Sequence, residues 1–153
     1  MRFFIAGIMQ GSRAEADIHD QGYRASIEAA VKAHFTEAEI IDPMELHPDG
    51  GVKYGPEKAR RTLLEMAEEA GQADVLIAYV PEASMGTAVE IWEAHRAGKP
   101  ILTISPLAEN WVVRFLSTRV FPSIGAFESF VAEGELEELL EAGEFDKLVS
   151  LSR

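Results

Sequence analysis

Apolar residues come in short unbroken runs along this chain, separated by polar stretches with helical spacing. The first run, "RFFIAGI" (Arg2–Ile8), gives way to a loop containing Gln, Gly and Ser. A run without polar alternation predicts a strand covered on both faces. "IHDQGYRASIEAAVKAHF" (Ile18–Phe35) repeats its apolar residues near the helical period and predicts a helix. "EAEIIDP" (Glu37–Pro43) predicts a short strand ended by Pro43, and "MELHPDGGVKYGP" (Met44–Pro56), rich in Gly and Pro, predicts a loop. "EKARRTLLEMAEEAGQ" (Glu57–Gln72) predicts a helix opened by Pro56. "ADVLIAYV" (Ala73–Val80) is the clearest strand. The helix of "ASMGTAVEIWEAHRAGKP" (Ala83–Pro100) starts at Ser84 and is closed by Gly98 and Pro100. "PILTISP" predicts a further buried strand, "NWVVRFLS" a short helix and "RVF" one more strand. The tail "FESFVAEGELEELLEAGEFDKLV" predicts acidic helix with its charges on a solvated face.

Nearly all-apolar strands alternating with helices predict a parallel sheet covered on both sides. The expected fold is a three-layer α/β, flavodoxin- or Rossmann-like arrangement of about five strands. Sites in such folds lie beyond the carboxyl ends of the strands. The loop after Gly7, the helix start after Val80 and the loop after Ser105 therefore converge on one crevice.

Composition narrows the picture. At 153 residues and 47% hydrophobic, the chain suits one domain over 1–153, with the acidic tail from about residue 126. The apolar runs are too short to cross a bilayer, and the N-terminal one lacks the pattern of a signal peptide, so no membrane partner is expected. With no cysteine, disulfides, a thiolate nucleophile and cysteine-held zinc are excluded, which fits a cytoplasmic location. The net charge of −12 excludes nucleic acid polymers as partners unless basic residues cluster locally. A small anionic ligand in a locally positive pocket stays open. His19, His34, His47 and His95 show no metal spacing, so no metal is expected, and they read as surface or structural residues. Trp92 and Trp111 read as core or interface.

Three places carry candidate chemistry. Ser84 stands at a helix start with Gly86 and Thr87 in the first turn; it either caps backbone N–H groups or helps them hold an anion. Glu90 is not a capping-box glutamate, because the position three after Ser84 is Thr87. Ala94 and Ala97 share its helical face, which suits close packing on a sheet. A partly buried carboxylate kept ionised there can attack an electrophilic carbon, although a helical Glu also has a structural reading. The loop "GIMQGSRAEAD" is neither a P-loop nor G-x-G-x-x-G. Gly7 and Gly11 allow close approach of a ligand, with Arg13 in reach of an anion; the alternative is a solvent-exposed turn.

"FFIAG", "ADVLIAYV" and "SMGTAVEIWEAHRAGKPIL" together resemble the nucleoside 2-deoxyribosyltransferase family, which includes the 2'-deoxynucleoside 5'-monophosphate N-glycosidases. The resemblance runs from Arg2 to Ser117 and is most specific over Gly86–Glu90. It implies that Glu90 attacks the anomeric carbon of a 2-deoxyribosyl group, forming a glycosyl-enzyme that water or a second base then resolves. It implies no cofactor. Ser84, where transferases of free nucleosides have Asp, implies a 5'-phosphate ligand, with Gly7, Gly11 and Arg13 matching the first loop of the hydrolases. The chain departs from the family at Phe4, where a Tyr is usual, and at Ile8 and Gln10, where the hydrolases have Ser and Arg. The family's acid or sugar-orienting Asp has Glu65 as nearest match, with Glu68 as the second choice. Asn110 and Ser117 match the segment that a neighbouring subunit lends to the site, which implies a homodimer or larger homo-oligomer. Three functions follow: hydrolysis of (deoxy)nucleoside 5'-monophosphates, base exchange between deoxynucleosides, or nucleotide sensing without turnover.

Overall fold

The computed structural model describes residues 1–9, 18–48 and 53–143. β1 (Arg2–Gly7), β2 (Glu39–Ile41), β3 (Val75–Tyr79), β4 (Ile101–Ile104) and β5 (Arg119–Phe121) form one all-parallel sheet in the order β2-β1-β3-β4-β5. This is the expected three-layer α/β fold in its flavodoxin-like order. The strand order reverses between β1 and β3, and the crevice at that switch point is where ligands of such sheets bind.

Strand side chains alternate between faces, and both faces are buried, which is why the runs are apolar throughout. Phe3, Ile5, Val75, Ile77, Leu102 and Ile104 meet Tyr23, Ile27 and Val31 of α1 (Tyr23–His34). Phe127, Phe130 and Val131 of α6 (Ile124–Ala132) and Leu136 of α7 (Glu135–Ala142) close the same face. On the opposite face Phe4, Ala6, Leu76, Ala78 and Ile101 carry Met66 and Ala70 of α3 (Pro56–Gln72) and Ile91 and Ala94 of α4 (Met85–Arg96). Arg2 pins the strand start to α3, its Nη2 donating to Glu69 at 2.9 Å.

The structure departs from expectation in four places. α1 begins at Tyr23, not Ile18, because Gln21 turns back and donates from Nε2 to the carbonyl oxygens of Ile8 (3.0 Å) and His19 (2.8 Å). The expected loop after Pro43 opens as a short helix, α2 (Pro43–Leu46): Asp42 accepts from Met44 N at 2.8 Å and Pro43 fills the first turn. The acidic tail is two helices broken at Gly134 (φ 79°), and it contributes core residues as well as a solvated face. Residues 144–153 of it lie outside the described residues. Of the two readings of Trp92 and Trp111, core or interface, the first fails: they are 49% and 79% exposed. No helix among the described residues is long and apolar enough to cross a membrane.

Candidate active site

A cavity of about 290 Å³ opens at the carboxyl end of β1, between α3 and α4. Gly7 and Met9 form one side of it. Ser84, Gly86, Thr87 and Glu90 come from the start of α4, and Thr62 and Met66 from α3. His47 and Tyr54 also line it, from the end of α2 and the approach to α3.

Ser84 is the N-cap of α4, its Oγ accepting from Thr87 N at 3.4 Å and from Thr87 Oγ1 at 2.9 Å. The capping role is thus filled, on a helix start that also lines the cavity. The space where a Gly86 side chain would stand is open. Glu90 is the sixth residue of α4, past the turn in which the helix dipole favours negative charge. It is partly exposed and lines the cavity. Burial of the carboxyl pushes its pKa up to about 8, opposed by the Arg24 guanidinium. Where the sequence suggested a carboxylate kept ionised, burial favours the protonated form.

Arg24 is a buried charge that does not line the cavity but acts on Glu90. It is 4% exposed, with Nη1 donating to Ile5 O and Asp42 Oδ1, both at 2.8 Å, and Nε to Gln21 Oε1 at 2.8 Å. Its Nη2 is buried without a partner among the described residues. Beside it the Tyr23 ring stacks on Tyr79 at 4.2 Å, and its hydroxyl donates to Ile8 O at 3.3 Å. Burial raises the Tyr23 pKa well above its ordinary value. Tyr23 lies directly under Gly7: a Cβ added there would stand 2.7 Å from Tyr23 Cζ and 2.8 Å from Cε2. Gly7→Ala is therefore expected to destabilise the fold by roughly 1–3 kcal/mol, read as a lower midpoint in denaturant with unchanged slope.

Of the residues singled out in the sequence, Glu90, Gly7, Ser84 and Gly86 meet on this cavity. Phe4 does not reach it; it is fully buried in the core between the sheet and α3–α4. Glu65 points elsewhere on α3, pairing with Arg61 at 3.6 Å beside a separate hollow that Arg2 and Glu69 also line. Glu68 is exposed and accepts from Gln72 at 3.0 Å. One turn of α3 explains the miss, since Thr62 and Met66 occupy the cavity-facing stripe and Glu65 lies off it. Asn110 caps α5 (Trp111–Leu116), its Oδ1 accepting from Val112 N at 3.0 Å, and lines a neighbouring hollow that shares Ser84 and Met85. Ser117 is bonded to Thr103, Oγ to Oγ1 at 2.7 Å, away from the cavity. Gln10, Gly11 and Arg13 lie outside the described residues.

Sequence reasoning passed over Tyr54, Thr62, Arg24 and Asp42, and it read His47 as a surface or structural residue. Arg24 did leave a signal: it shares the i, i+3, i+7 stripe of Ile27 and Val31, and a charge on an apolar stripe needs a buried partner. That partner, Asp42, is flagged by the Asp-Pro helix start. His47 and Tyr54 sit in the Gly/Pro-rich segment, where no periodicity reports which side chains turn inward.

No protein-family profile matches the chain, and no curated protein does. Solved structures do. A 2-deoxyribosyltransferase from Bacillus psychrosaccharolyticus is 17% identical, with a TM-score of 0.59 over 84% of this chain and 90% of that one. A conserved protein from Enterococcus faecalis V583 is 17% identical, with a TM-score of 0.61 over 88% and 98%. An oxidoreductase from Corynebacterium diphtheriae is 15% identical, with a TM-score of 0.50 over 93% and 98%. The likeness is one of fold, and this fold hosts more than one chemistry.

Proposed function

We propose that the chain is a nucleoside 2-deoxyribosyltransferase-like enzyme that cleaves the N-glycosidic bond of (deoxy)nucleoside 5'-monophosphates. The observation that carries this reading is a partly exposed carboxyl, Glu90, in a cavity shared with the capped start of α4. Glu90 attacks the anomeric carbon, the bond to the base breaks, and water resolves the glycosyl-enzyme. The backbone around Ser84 and Gly86, with open space beside it, would receive the phosphate, and Arg13 would add charge. No organic cofactor is required by this chemistry.

Only the ionised form of Glu90 can attack. Its pKa of about 8 therefore predicts a limb of kcat/KM that rises with pH through about 8. A profile that falls through that range would instead make Glu90 a proton donor.

The decisive experiment offers nucleosides and their 5'-monophosphates, ribo and deoxy, to the protein and to Glu90→Ala, and reads free base by chromatography. Release from monophosphates that disappears in the variant supports the hydrolase. One observation favours base exchange instead: among the described residues, no Arg or Lys lines the cavity, which suits an uncharged nucleoside. The transferase of the same fold from Bacillus psychrosaccharolyticus agrees with that reading. New nucleoside formed only when an acceptor base is added would select it. Binding without any product would select the sensor.

The same reading includes a homo-oligomer. Met85, Val89 and Trp92 are exposed at i, i+4, i+7 on α4, and Trp111 and Phe115 at i, i+4 on α5. This apolar surface borders the hollow lined by Asn110, where a second copy would add residues to the site. Val89→Lys with Trp92→Lys is expected to lower the mass measured by light scattering to that of one chain. An unchanged mass would count against this face.

A further inference from the structure

Resting on the glycosidase reading, we propose that His47, oriented by Tyr54, gives the departing base its proton. A heterocycle leaving as an anion leaves slowly, so the cavity needs a donor other than the nucleophile. Glu65, the acid implied by resemblance, faces a different hollow. Among the described lining residues, the ionisable side chains are Glu90, His47 and Tyr54.

The imidazole is held for the task. His47 Nδ1 lies 2.8 Å from Tyr54 Oη, and the two rings meet edge to face at 85° with centroids 5.7 Å apart. The Lys58 ammonium sits 3.6 Å from the Tyr54 ring centroid and fixes that ring from its face. The backbone of His47 is set by its N–H donating to Pro43 O at 2.8 Å at the end of α2. In the imidazolium both ring nitrogens carry a proton: Nδ1–H donates to the Tyr54 hydroxyl oxygen, and Nε2–H is left for a ligand.

The step balances. A Glu90 carboxylate oxygen bonds to C1', and the C1'–N bond breaks with its electron pair passing to the base. The Nε2 proton of the His47 imidazolium moves to the base, which leaves neutral, and His47 is left as the neutral imidazole. Water then attacks C1', one of its protons returns to His47, and Glu90 departs as carboxylate.

The test compares His47→Gln, Tyr54→Phe, Glu90→Ala and the native protein on two probes. One is the best nucleotide or nucleoside substrate; the other is its 4-nitrophenyl analogue, whose leaving group needs no proton. His47→Gln is expected to slow base release by about 10²–10⁴-fold while nitrophenol release stays within a few-fold of native. Tyr54→Phe should shift base release in the same direction by less, and serves alone should His47→Gln fail to fold. Equal losses on both probes would make His47 a structural wall residue and overturn the proposal, as would no loss on either. Glu90→Ala should abolish both activities. Nitrophenol release that survives in Glu90→Ala, or a native protein that releases no base, would overturn the glycosidase reading itself.

Discussion

Glu90→Gln is expected to be more stable than the native protein at pH 8 and nearly inert. The folded pKa of about 8 lies above the ordinary 4.5, so the folded state holds this proton more tightly than the unfolded chain does. The stability associated with the protonated carboxyl is complete below about pH 4.5 and is lost progressively as the pH rises through about 8. Glutamine keeps the shape and does not titrate. Its advantage should be near zero at pH 4.5 and roughly 2–4 kcal/mol at pH 7, at about 1.4 kcal/mol per pH unit of displacement. In a domain of this size each kcal/mol moves the melting temperature by roughly 2–4 °C, so thermal scans at both pH values resolve the effect. Base release should fall on the order of 10³-fold or more, as when a nucleophile is removed from other enzymes. A variant more stable and less active than its parent marks a group held at a cost to the fold. Equal melting temperatures at pH 8 would mean that Glu90 is ionised at rest and that burial is not what governs it.

The second large effect is expected at Asp42. Its carboxylate pairs with Arg24 at 2.8 Å, with side chains only 8% and 5% exposed, and also caps α2 through Met44 N. Asp42→Ala removes the cap and leaves a buried guanidinium uncompensated, a loss of about 3–5 kcal/mol for such a pair. Asp42→Asn keeps an oxygen acceptor and should lose less. Both variants should also act at a distance. Arg24 favours the ionised form of Glu90, and without Asp42 its charge is no longer offset. The rising limb of the pH–rate profile should therefore move below about pH 8 in Asp42→Asn. A limb that stays in place would mean that Arg24 does not influence the reacting carboxyl.

The strands were legible because burial on both faces removes polar residues from them, as in "FFIAG" and "VLIAY". Helices were legible where an apolar stripe met a cap, as at Ser84 and Pro56. The Asp42–Pro43 start was hidden because α2 is only four residues long, too short to show a period. Within the site, Glu90 and Ser84 could be read from their places at a helix start. Glu65 could not be excluded by spacing, since one residue on a helix rotates a side chain by about 100°. The place of His47 and Tyr54 in the site stayed hidden because it depends on a cavity assembled from three segments far apart in sequence. Nor does a sequence show the state of a proton: the same glutamate would ionise normally on an exposed helix.

The two faces of the sheet also differ in when they can be completed during synthesis. α3 and α4 are complete by Arg96 and can cover Phe4 and Leu76 while the C-terminal part is still being made. The face bearing Phe3, Ile5 and Ile77 has α1 early, but Phe127, Phe130 and Leu136 arrive only after the last strand. A nascent chain halted near residue 120 would display greasy sheet surface, the kind of half-covered intermediate that chaperones hold and that aggregates when they do not.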